Sequence, residues 1–166
     1  MPEWSEGLLL WALQAASLGV PSLPAWMGVG SDLPEVNPWL RPGEDPFTGE
    51  PVTHVRALPL DVAVLHVPEV DAQGNAHVPG DLGADALLAR AAERTFVTYE
   101  ATGDAPAAQA ALGRVWIDAA AHAAGGAWPG GCHPDYAPDL DAVARWAREG
   151  AEAPIELLVP HAAVAP

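Results

Sequence analysis

Apolar positions along this chain follow first a helical and then a strand-like period, and the elements they predict alternate. The stretch after Ser5, to about Ser17, is apolar nearly all round, with Leu8, Leu9, Leu10, Trp11 and Leu13. That pattern predicts a buried helix. Ser5 supplies an N-cap and Glu6 an acid in the first turn, where the helix dipole favours an anion. Gly19 and Pro21 stop the helix. Residues 21–59 show no clean period and are rich in Pro, Gly and Trp, which reads as a long irregular region, either functional or packed on a partner.

The next run, LDVAVLHV at 60–67, is a buried strand by its Val and Leu content. DAQGN at 71–75 is a turn signal, and AHV after it can return as a short strand. Asp81 to Arg94 has helical composition, and TFVTYE at 95–100 is a second strand. A strand, a crossover helix and another strand point to a parallel sheet. A Gly- and Pro-rich segment at 125–136 leads into a last helix at about Leu140 to Glu149, and the tail from Ala151 is left without an assignment.

The uncharged run from Gly7 to Ser31 is not a membrane span, because Pro21, Pro24 and several Gly interrupt it. Nor is it a signal peptide, since Glu3 and Glu6 stand where positive charge is required. A soluble, cytoplasmic protein is the expectation. At 166 residues the chain is one domain long, with no internal repeat or low-complexity linker. Its 22 acidic residues face seven basic ones, all Arg, which argues against a nucleic-acid partner. The absence of Lys removes Schiff-base and Walker-lysine chemistry; a GC-rich source explains that deficit without any function. The single cysteine, Cys132, excludes an internal disulfide and a multi-cysteine zinc site.

No standard catalytic fingerprint is present: the chain lacks GxSxG, HExxH and CxxC. Gly28 and Gly30 flank Val29 in MGVGSDL, either a purely structural turn or a loop whose N–H groups face an anion or an acyl oxygen. His54, His66, His77, His122, His133 and His161 show no helical i, i+4 pairing. His66 sits late in a strand, where open α/β sheets gather ligands, although a hydrogen-bonded core histidine would look the same. Cys132 and His133 are adjacent in a Gly-rich loop and make no closed site, so no metal is expected. Glu6 and Glu100 are the carboxylates at an element start and a strand end; each is a candidate functional acid or a capping or supporting one.

Taken in order, five segments resemble one family: 5–33, DPFTGEPV at 45–52, 58–80, AAERTFVTYE at 91–100 and GGAWPGGCHPDY at 125–136. The combination of GSD, DPFTGE, LH followed by DxxGN, and VTYE is similar to the A (alpha) subunits of family I coenzyme A transferases of the glutaconate type. Their steroid ring-opening hydrolase relatives look similar as well. The resemblance covers nearly the whole chain and matches the C-terminal half of such a protein. It implies an α/β fold with an open, mainly parallel sheet and flanking helices, and residues 1–166 as a single partial domain of the A-subunit type. Ahead of Ser5 it implies roughly another hundred residues, carrying the first strands of the sheet.

The resemblance further implies nucleophilic catalysis by a glutamate that attacks an acyl-CoA thioester and carries CoA to a carboxylic acid. That glutamate is expected on a partner B (beta) subunit. Coenzyme A and acyl-CoA are then substrates, with no permanently bound cofactor. Gly28, Gly30, Ser31, Asp32, His66, Asn75 and Glu100 are the residues expected to line the shared cleft. Glu6 is the matching acid if the chain follows the hydrolase branch and acts on a cyclic dione. A third possibility is a truncated, non-catalytic remnant, aggregating or partly unfolded when alone.

Overall fold

The computed structural model describes residues 2–106 and 109–149. The tail from Ala151 onward lies outside the described residues. The described residues fall into two compact units, one within 1–63 with 83–94 and the other within 64–82 with 95–149.

In the first unit, helix α1 spans Glu6–Ser17, and the Ser5 hydroxyl accepts the Leu8 N–H at 3.3 Å. Capping of this kind satisfies one of the donors that a helix start leaves over. Leu8, Ala12, Leu13 and Ala15 are the buried side of α1. Helix α1 packs against helix α3, Asp85–Ala91.

The segment expected to be irregular instead holds a three-stranded antiparallel sheet. Strands β1 (Ser22–Ala25), β2 (Leu40–Glu44) and β3 (Pro51–Arg56) lie in the order β1-β3-β2. A short helix, α2 (Leu33–Val36), precedes β2. The prolines that hid these strands occupy positions a sheet tolerates. Pro24 and Pro42 are on the two edge strands, and Pro51 is the first residue of the central one. Leu8, Ala12, Ala25, Leu40 and Val55 form the core between helix and sheet, with Trp4, Leu33 and Leu58 against it. Asn37 is fully buried there, and both ends of its amide are used: it donates to the Glu3 carbonyl at 2.7 Å and accepts from the Trp39 N–H at 2.9 Å.

The second sheet has the order β5-β4-β6-β7, with β4 at Leu60–Asp71, β5 at Ala76–His77, β6 at Ala92–Gly103 and β7 at Ala119–His122. β5 returns antiparallel on β4 through the expected turn, where the Asp71 carboxylate accepts N–H bonds from Gln73 and Asn75. β4 and β6 run the same way, since Leu65 and His66 stand beside Thr98 while Glu69 stands beside Gly103 and Ala105. β7 continues the parallel ladder, pairing Phe96 with Ala119 and Tyr99 with His122. The predicted strand, helix and strand are thus β4, α3 and β6, with both strands longer than their apolar cores suggested. Ala63, Leu65 and Val67 alternate into the core of this sheet, as do Thr95 and Val97. The last helix, α4, spans Leu140–Glu149. Among the described residues, no buried side-chain nitrogen or oxygen lacks a partner, and no helix is long and apolar enough to cross a membrane.

Candidate functional site

Period two in β6 places Thr98 and Glu100 on the same face, and neighbouring β4 sets His66 against both. His66 Nδ1 lies 2.9 Å from the Thr98 hydroxyl, and His66 Nε2 lies 2.6 Å from Glu100 Oε1. The loop at 125–136 folds over this pair. Its Gly125 N–H donates to Glu100 Oε2 at 2.7 Å, and the Tyr136 hydroxyl donates to Glu100 Oε1, also at 2.7 Å. The Ala127 N–H in turn donates to that hydroxyl at 2.9 Å. Gly126 is required here: a Cβ at this position would stand 2.7 Å from His66 Cε1 and 2.8 Å from the Ala123 carbonyl.

Cys132 completes the cluster. Reciprocal backbone bonds between Cys132 and Tyr136 close the loop, and the cysteine is 6% exposed. Ligand atoms of His66, Glu100 and Cys132 lie within 4.8 Å of one another. Burial raises the Glu100 carboxyl, but donation from Gly125, Tyr136 and His66 outweighs it and holds the group below the ordinary value. Burial, then the Glu100 and Asp135 charges, pushes the Cys132 thiol up to about 11. Burial and the bond to Glu100 push Tyr136 up to about 12. At neutral pH the cluster therefore holds one carboxylate, one phenol and one thiol, with every Glu100 oxygen already accepting a bond.

The remaining expected residues lie elsewhere. Gly28 and Gly30 adopt φ of +84° and +77°, and Ser31 donates its hydroxyl to the Gly28 carbonyl at 2.8 Å. Asp32 is exposed at the start of α2 and makes no side-chain capping bond. This loop follows Trp26 and Met27, which with Trp11, Pro24, Thr48 and Val52 line an open apolar cleft of about 480 Å³ within the first unit. Glu6 is exposed on the first turn of α1. Asn75 belongs to the β4–β5 turn: its amide donates to Asp71 Oδ2 and its carbonyl accepts the Arg114 N–H, both at 2.8 Å. His77 shares the same Asp71 carboxylate at 3.0 Å, and His122 bonds the Glu100 carbonyl at 2.8 Å. Sequence reading missed Thr98, Gly125, Cys132 and Tyr136 as neighbours of the His66–Glu100 pair. The alternation of Thr98 and Glu100 in TFVTYE was the available signal; the loop contacts had none.

The chain is thus a mixed α/β protein with a parallel β4-β6-β7 ladder that carries the His66–Glu100 cluster. No family model matches the chain. It is 37% identical over 138 residues to the A subunit of 3-oxoadipate CoA-transferase from Pseudomonas knackmussii, covering 81% of this chain and 47% of the relative. It is 35% identical over 151 residues to the cholesterol ring-cleaving hydrolase IpdA subunit of Mycobacterium tuberculosis, covering 82% and 52%. Among solved structures, a variant of the decarboxylase AibA/AibB superposes with a TM-score of 0.79 and 36% identity, covering 93% of this chain and 58% of that one. Glutaconate coenzyme A-transferase of Acidaminococcus fermentans superposes with a TM-score of 0.78 and 25% identity, covering 85% and 51%. Over most of its length the chain is similar to A subunits of coenzyme A transferases and of their ring-cleaving relatives, which is the expected resemblance. It spans about half the length of these relatives, in keeping with the expected match to half of such a protein.

Proposed function

We propose that this chain is the A-subunit-like part of a heteromeric CoA transferase that moves CoA between an acyl-CoA and a carboxylic acid. The observation that carries this reading is its 37% identity to the A subunit of a CoA-transferase over most of its own length. The state of Glu100 agrees with it. Donation from Gly125, Tyr136 and His66 holds the Glu100 carboxylate below its ordinary value, which makes it a weaker nucleophile. The attacking glutamate then comes from a B-type partner, and this chain contributes binding surface.

In that role the apolar cleft takes the acyl chain. The Gly28–Asp32 loop presents backbone groups to the thioester, where donors aimed at the developing oxyanion lower the barrier most. Coenzyme A enters and leaves as substrate, so no resident cofactor is required, and the acceptor acid follows it. A cytoplasmic setting belongs to the same proposal. The test is to mix this chain with a complete B-type partner, an acyl-CoA and a labelled carboxylic acid. Exchange of CoA only in the mixture is the expected result. Failure of exchange with a folded partner overturns the reading and leaves the ring hydrolase and the non-catalytic remnant in its place.

A second reading has its own support, the 35% identity to a ring-cleaving hydrolase subunit. There Glu6 directs water at a cyclic dione in the assembled complex. Glu6→Gln then abolishes ring opening, and turnover unaffected by that change removes Glu6 from the mechanism.

A further inference from the structure

We propose that His66, Glu100 and Cys132 form a three-ligand site for a divalent cation of the zinc class. Imidazole, carboxylate and thiolate are the donors such ions take, and three protein ligands with an open fourth position are a recurrent arrangement. In a tetrahedral site the donor atoms stand ~3.3–3.8 Å apart, from metal–ligand distances of about 2.0–2.3 Å. The three donor atoms here already lie within 4.8 Å of one another, about an ångström beyond that spacing. The one contact that must open is His66 Nε2 to Glu100 Oε1, now 2.6 Å.

The surroundings are those that orient ligands rather than those of a chance cluster. A ligating imidazole hands its other N–H to an acceptor, and a ligating carboxylate is itself hydrogen-bonded. His66 Nδ1 faces the Thr98 oxygen at 2.9 Å, and the Thr98 hydroxyl can turn to the Leu65 carbonyl at 3.4 Å. With the proton on Nδ1, Nε2 is free for a metal. Glu100 Oε2 stays fixed by the Gly125 N–H. Binding exchanges the Cys132 thiol proton for the metal and releases that proton to solvent; nothing is oxidised or reduced. The sequence expectation of no metal rested on the neighbouring pair Cys132 and His133. His133 is exposed, and the strands supply His66 and Glu100 instead.

The bound ion would tie the loop at 125–136 to β4 and β6. This inference is independent of the proposed CoA chemistry, and its readout needs no activity. Metal-stripped protein is titrated with Co²⁺ and then displaced with Zn²⁺. One equivalent of Co²⁺ is expected to produce a thiolate-to-cobalt charge-transfer band that Zn²⁺ removes. Cys132→Ser abolishes the band, while His66→Ala and Glu100→Gln each weaken Zn²⁺ binding at least about tenfold. His133→Ala leaves both unchanged. A band that survives Cys132→Ser, or no band at one equivalent, overturns the site, as does equal loss in His133→Ala. Should a variant fail to fold, X-ray absorption on the unaltered zinc-loaded chain decides. One sulfur with imidazole in the shell supports the site, and oxygen and nitrogen ligands alone reject it.

Discussion

The two regions that hold the expected site residues are built on opposite terms. In the second unit, His66 and Glu100 are half-buried and bonded on every side, to Thr98, Gly125 and Tyr136. In the first unit, Gly30, Ser31 and Asp32 are exposed beside an apolar cleft, and the loop's shape rests on backbone conformation. One region is committed to holding the fold, or an ion; the other has surface to offer. Substitutions at Glu100 should therefore register first in stability, and substitutions at the cleft first in binding.

The largest effect is expected for Glu100→Ala. It strips the acceptor from the Gly125 N–H, the Tyr136 hydroxyl and His66 in a site where the carboxylate is only 10% exposed. Leaving buried donors unpaired costs about 1–3 kcal/mol each where water cannot reach them. With partial access for water, a loss of about 3 kcal/mol in the second unit is expected. Hydrogen exchange checks it: the Gly125 amide should lose protection, while the Leu40 and Val55 amides of the first unit keep theirs. Equal loss in both units would mean that the two do not respond separately.

Gly126→Ala comes next. The added methyl meets both the His66 ring and the Ala123 carbonyl below 3 Å, and the ring is pinned by two hydrogen bonds. Overpacking of this sort costs about 1–3 kcal/mol. The paired substitution is Gly30→Ala, whose Cβ meets nothing within 4 Å but whose φ of +77° strains any other residue. That strain is about 1 kcal/mol. Thermal unfolding of the two variants should rank Gly126→Ala as the more damaging. Only that variant should shift the His66 ring resonances.

Acid separates the regions in a third way. Glu100 lies below its ordinary value of 4.5 in the fold, so its contribution is complete above that pH and is lost as pH falls through the lower folded value. Glu100→Gln removes this share of the acid dependence of the second unit and leaves that of Asp71 and Asp139, which are lowered too. Asp45 in the first unit is lowered by N–H bonds from Thr48 and Phe47 and follows the same sign. Asp45→Asn should flatten the acid limb of the first unit alone. An acid profile unchanged in Glu100→Gln would show that other carboxylates govern it.

How much of this was legible beforehand follows from where the information sits. Ser5 with Glu6, the β4 core and the turn at 71–75 are local signals, and the structure reproduces each. Residues 21–59 misled because Pro24, Pro42 and Pro51 read as breakers, while the sheet uses them at edges and a strand start. Composition carries no information on which strand is an edge. The His66–Glu100 pairing was within reach, since both were singled out on neighbouring strands. Tyr136 and Cys132 were not, because a Gly-rich loop can close in many ways and only tertiary contact selects one. Asn75 was singled out by a family resemblance, and its side chain is occupied in locking a turn.

The smallest effect on stability, and the sharpest test of the comparison, belongs to Trp26→Ala. Trp26 is 80% exposed and lines the cleft, so its removal costs the folded chain almost nothing and the unfolding midpoint should not move. An occupant of the cleft would cover much of its ring. Burying ~80 Å² of apolar surface at about 25 cal/mol per Å² is worth about 2 kcal/mol, roughly thirtyfold in affinity. The measurement is the KM for acyl-CoA in the reconstituted complex, taken with short and long acyl chains. A thirtyfold rise confined to long chains places the acyl group on Trp26. A uniform rise with every chain length, or none, moves the acyl group away from this cleft. The exposed region would then serve another ligand, while the contrast in stability between Trp26 and Glu100 would stand.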